Sequence, residues 1–87
     1  MNARELVPWN VRRLRILRGI SSERLAAESD VDRAYVSRIE RGVANPTVDV
    51  LARLAKVLEV EIAELFAVPE PHEERPKPLP SGRRSSR

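Results

Sequence analysis

The chain has no cysteine, one histidine, three glycines and three aromatic residues, and each scarcity removes a class of protein. Without thiols there is neither a disulfide framework nor a thiolate metal site. His72 stands in a proline-rich stretch with no second histidine beside it, so it offers no ligand set and no base for a nucleophile; it reads as a solvated side chain. Gly19, Gly42 and Gly82 lie too far apart to form a phosphate-cradling loop. An enzyme is therefore not expected, nor a metal, cofactor or small-molecule ligand. Trp9, Tyr35 and Phe66 are the only aromatics, and Leu, Val, Ile and Ala supply most of the 41% hydrophobic content, which favours helices over a β-sandwich. No apolar run approaches the ~20 residues needed to cross a bilayer, and Met1 to Glu5 lacks the charged-then-apolar order of a signal peptide. A cytoplasmic location is the expectation.

What is present fits one small domain. A core built from 87 residues leaves much of the chain near the surface, so good helix packing or dimerisation must supply stability. The net charge of +3 says little, but its distribution says more. Residues 1–42 carry nine Arg against six acids, whereas residues 43–68 carry Arg53 and Lys56 against four. One end of the domain is basic and suits a polyanion.

Five of the seven prolines fall in residues 69–87, with Ser, Gly and charges around them. That places a domain over 1–68 and a Pro-rich, basic tail over 69–87, expected to be disordered or partly polyproline II. The tail's Pro76-Lys77-Pro78-Leu79-Pro80 matches a PxxP peptide formally, and its Arg83-Arg84-Ser85-Ser86-Arg87 end is read as inert. Within the domain a first helix is expected from about Pro8 to Arg18, stopped by Gly19, with Val7, Val11, Leu14 and one of Leu17 or Ile20 inward. Ser21 caps a second helix over Ser22 to Ser29, Asp30-Val31 makes a turn, and Asp32 caps a third helix from Arg33 to Arg41 that Gly42 ends. Thr47 caps a fourth helix, whose Leu51, Leu54, Ala55 and Leu58 recur at helical spacing. A short helix from Ile62 to Phe66 closes an all-α, five-helix domain.

Two short capped helices joined by a tight turn form a helix-turn-helix pattern. Advancing about 100° per residue from Arg33 gathers Val36, Ile39 and Glu40 on one side, which must face the core. Ala34, Ser37, Arg38 and Arg41 lie opposite, with Arg33 flanking. A rod of that width, bearing guanidiniums, a hydroxyl and a methyl, is suited to a DNA major groove: Arg donates twice to guanine, and a methyl meets the thymine methyl.

Over nearly all of residues 7–68 the sequence resembles the Cro/C1 repressor-like family, also called the XRE family, with a lambda-repressor-like fold. The likeness is carried by Val11-Arg12-Arg13-Leu14-Arg15, Gly19-Ile20-Ser21, Leu25-Ala26, Val31, Ser37-Arg38-Ile39-Glu40-Arg41-Gly42, Asn45-Pro46-Thr47 and Leu58. Asp32 to Arg41 also looks like controllers of restriction–modification genes. The resemblance implies that Arg33, Ala34, Ser37 and Arg38 read bases, and that Ser21, Ser22, Tyr35, Arg41 and Asn45 hold phosphates. It also implies a structural ion pair between Arg15 and Glu40. Three positions depart from the pattern: Ser22 where Gln is common, Asp30 where Gly is usual, and Glu61 where Ser or Asn usually caps. Asp30 must then accept a left-handed conformation.

The expected function is sequence-specific binding of double-stranded DNA and regulation of transcription. So small a domain has limited contact area, so a homodimer on operator half-sites is expected, with Val60, Ile62, Leu65, Phe66 and Val68 as its seam. The competing reading is a protein-interaction module, such as an antitoxin or adaptor with little DNA binding. Trp9 is read as an aromatic covering the edge of the core.

Overall fold

The computed structural model describes residues 1–69. Four α-helices and one 3-10 helix follow one another: α1 Ala3–Arg18, α2 Ser22–Ser29, α3 Arg33–Glu40, α4 Val48–Leu58, and the 3-10 helix Ile62–Phe66. There is no strand among the described residues. The tail expected from Pro69 onward, with His72 and the Pro76 to Pro80 stretch, lies outside them except for Pro69 itself.

Each α-helix starts at a short polar residue whose side chain accepts a free N–H. Ser21, Asp32 and Thr47 accept from Arg24, Tyr35 and Val50, respectively. The first helix differs from expectation. It begins at Ala3, not at Pro8, because Asn2 and Glu5 form a capping box: the Asn2 side chain accepts the Glu5 N–H at 3.1 Å, while the Glu5 carboxylate accepts the Asn2 N–H at 3.0 Å. Pro8 therefore sits inside the helix, where its missing N–H costs one intrahelical bond. The extra turn also buries Leu6 and Val7. Glycine-type stops follow, with Gly19 left-handed at φ 70° and Gly42 at φ 77°.

The core is a single cluster of Val7, Val11, Leu14, Leu25, Ala26, Val36, Ile39, Leu51, Leu54, Ala55, Leu58 and Leu65. All four expected residues of α4 are in it. Ile20 packs against its rim, whereas Leu17 is 71% exposed, so the α1 stripe ends through Ile20. Leu65, expected in a dimer seam, is instead fully buried in the core of its own chain. In a 3-10 helix residues three apart eclipse one another, so Leu65 shares the inward side with Ile62.

Asn10 is the other buried surprise. It occupies the inward face of α1 at 1% exposure, and its Nδ2 donates to the carbonyls of Leu65 at 3.1 Å and Ala67 at 2.9 Å. Its Oδ1 accepts from Arg13. Every polar atom of the side chain is thus satisfied while it fastens the end of the domain to α1.

Candidate nucleic-acid interface

α2 and α3 are packed on each other and joined by Asp30, Val31 and Asp32. Asp30 adopts φ 57° and ψ 44°, the left-handed conformation that the turn demands. The bend lets the Val31 N–H reach the Ala26 carbonyl at 3.0 Å, and the Asp30 carbonyl accepts from Arg53 of α4 at 3.2 Å. Asp32 turns its carboxylate onto the Tyr35 N–H at 3.2 Å. Its charge is thereby directed into the helix end.

On α3 the division of faces is sharp. Val36 and Ile39 are buried, while Arg33, Ala34, Ser37 and Arg38 are exposed, and exposed Arg41 follows at the C-terminal end. None of the Arg33, Arg38 and Arg41 guanidiniums is in an ion pair among the described residues. Glu40 points the other way and is occupied: Arg15 Nε meets its Oε2 at 2.7 Å and Arg15 Nη2 its Oε1 at 3.1 Å. A third Arg15 donor reaches the Ile20 carbonyl at 3.1 Å. The two side chains keep only 17% and 10% of their exposure, so this is a shielded, two-pronged bond between α1 and α3.

The remaining residues sit around that face. Ser21 is exposed and caps α2, Ser22 is half-buried in the first turn, and Asn45 is exposed in the loop before α4. Tyr35 is half-buried against the core, with the Arg38 guanidinium 5.7 Å from its ring centre. Arg24 is engaged by Glu28, whose hydrogen bond and charge raise the pKa of the guanidinium. Trp9 is half-buried and lines an open groove with Arg12 and Arg41. No group of three His, Cys, Asp or Glu side chains is placed to hold a metal among the described residues. No described helix is long and apolar enough to cross a membrane.

Of the residues expected in a dimer seam, Phe66 is 44% and Val68 72% exposed, whereas Val60 and Ile62 are half-buried. Sequence reasoning missed Asn10 and Arg53. Asn10 carried one signal, its position among Val7, Val11 and Leu14 on an apolar stripe.

A family profile described as "Helix-turn-helix" matches residues 11–65. The chain belongs to the helix-turn-helix family. Within it, an uncharacterized HTH-type transcriptional regulator of Sinorhizobium fredii is 43% identical over 65 residues, covering 75% of this chain and 84% of that one. The HTH-type transcriptional regulator SlrR of Bacillus subtilis is 47% identical over 57 residues, 64% of this chain but only 38% of that longer protein. Among solved structures, the restriction-modification controller protein C.AhdI from Aeromonas hydrophila superposes with a TM-score of 0.70 at 38% identity, covering 72% of this chain and 96% of that one. This helix-turn-helix protein is thus a transcriptional regulator of the Cro/C1 type with a DNA-binding domain that is all-helical over the described residues, and its family is one of regulators and not of enzymes.

Proposed function

We propose that the protein binds specific double-stranded operator sites as a homodimer, with α3 of each protomer lying in the major groove of one half-site. The observation that carries this reading is the outer face of α3, where Arg33, Ala34, Ser37 and Arg38 stand exposed on a helix anchored from behind by Val36 and Ile39. Those four side chains read base edges; Ser21, Ser22, Tyr35, Arg41 and Asn45 hold flanking phosphates. The first turn of α2 is suited to that task because its unpaired N–H groups and helix dipole attract an anion. Dimerisation through exposed Phe66 and Val68 and half-buried Val60 and Ile62 places two copies on half-sites about one helical turn apart.

The test is selection from a random duplex pool, followed by binding at several salt concentrations. A shared half-site repeated at fixed spacing, with affinity falling steeply in salt, is the expected outcome. Arg33→Ala and Arg38→Ala then relax preference at particular base pairs, each by about 1–3 kcal/mol, whereas Arg41→Ala weakens all duplexes alike. Equal losses on every duplex from all three substitutions would overturn the assignment of roles. Indifference to DNA together with retention of a protein partner would instead favour the adaptor reading.

A further inference from the structure

Tyr35 and Arg38 stand three residues apart, so their side chains share one side of α3. The guanidinium carbon of Arg38 lies 5.7 Å from the Tyr35 ring centre, within the reach of a cation–π contact. The two partners are unequal in freedom. Tyr35 is half-buried and packed against the core, whereas Arg38 is exposed and has no ion pair among the described residues. A ring packed against the core therefore supports a long side chain that has no other side-chain partner among the described residues. At about 100° per residue, Tyr35 stands between buried Ile39 and exposed Arg38, so its ring borders the reading face.

We propose that Tyr35 is a positioning residue for base recognition: its ring presets the Arg38 guanidinium on the reading face, so that Arg38 meets a guanine edge already ordered. This rests on the proposed base-reading role of Arg38 and assigns the Tyr35 ring a task separate from its hydroxyl, which remains available to a phosphate. Arg has many rotamers, and fixing them before binding removes an entropic cost that would otherwise fall on the specific complex. Nonspecific complexes, in which Arg38 has no fixed partner, gain little from the same restraint. The ring thus acts on discrimination between sequences, and the hydroxyl on affinity for all of them.

The experiment measures the affinity of the full chain for its selected duplex and for every single-base variant, using wild type, Tyr35→Phe, Tyr35→Leu, Arg38→Ala and the Tyr35→Leu/Arg38→Ala pair. Tyr35→Phe keeps the ring and is expected to weaken all duplexes equally while leaving their ratios within about twofold. Tyr35→Leu is expected to lose about fivefold of discrimination at the base pair that Arg38→Ala also relaxes, equivalent to about 1 kcal/mol at 1.4 kcal/mol per tenfold. In the Arg38→Ala background, Tyr35→Leu should change the ratios no further. Unchanged ratios in Tyr35→Leu, alongside relaxed ones in Arg38→Ala, overturn the positioning role alone. No relaxation in Arg38→Ala overturns the base-reading role, and the proposal with it. A measurement on the unmodified protein guards against a Leu variant that fails to fold: the ring current should displace the Arg38 δ-methylene proton resonances, and unshifted resonances count against the contact.

Discussion

At the scale of single residues, charge and backbone shape decide more than size does. Arg15 and Glu40 join α1 to α3 out of contact with most of the solvent. Removing either partner strands the other charge, so Arg15→Ala or Glu40→Ala is expected to cost about 3 kcal/mol, read from urea unfolding. Replacing both by apolar residues of similar volume should recover most of that loss, because no unpaired charge is left behind. Asp30 presents the opposite case, in which a change should help. Its left-handed backbone disfavours any L side chain, whereas glycine adopts it freely. Asp30→Gly is expected to raise stability by about 0.5–1 kcal/mol, and Asp30→Ala to lower it by a similar amount. A melting temperature that moves the same way in both variants would refute the backbone explanation.

Among the helices, legibility followed the chemistry of their ends and stripes. Ser21, Asp32 and Thr47 could be read as caps because each is a short polar residue just before an apolar rhythm, and the α4 stripe was legible because four apolar residues repeat at helical spacing. The start of α1 was not legible from Pro8, since proline favours a first turn, yet the Asn2–Glu5 capping box starts the helix earlier and leaves Pro8 inside it at the loss of one intrahelical bond. Asn10 escaped because composition alone does not tell a solvated amide from a buried one whose partners are carbonyls 55 and 57 residues away. Leu65 was grouped with its apolar neighbours in the seam because a run of apolar residues does not by itself say which of them the core takes. The outer face of α3 was legible because the advance of about 100° per residue separates it from Val36 and Ile39. Asn10→Ala leaves two carbonyls unpaired and should destabilise by about 1–3 kcal/mol. Amide exchange localises the effect: protection should fall first in residues 62–67, and uniform loss across the domain would argue against a local clasp.

For the whole molecule, the issue is where apolar and charged surfaces lie. Charged and polar side chains occupy the exposed side of α3, while Phe66 and Val68 project at the end of the fold. If those two side chains form the seam between protomers, Phe66→Asp should raise the dimer dissociation constant by at least tenfold in sedimentation equilibrium, with the helical signal unchanged. Half-site binding should survive, and binding to the paired site should weaken. A dimer of unaltered strength would move the seam elsewhere.

The last turn of the fold also has a consequence for how this segment can change over time. Leu65, which plugs the interior, is next to Phe66, which faces outward, and the turn has no side-chain cap to take up slack. Inserting one amino acid after Glu61 would deliver Glu64 to the interior slot; deleting one would deliver Phe66. The stretch is therefore locked in length: outward positions such as Phe66 can change identity, but an insertion or deletion would bring the wrong side chain to the slot that Leu65 fills.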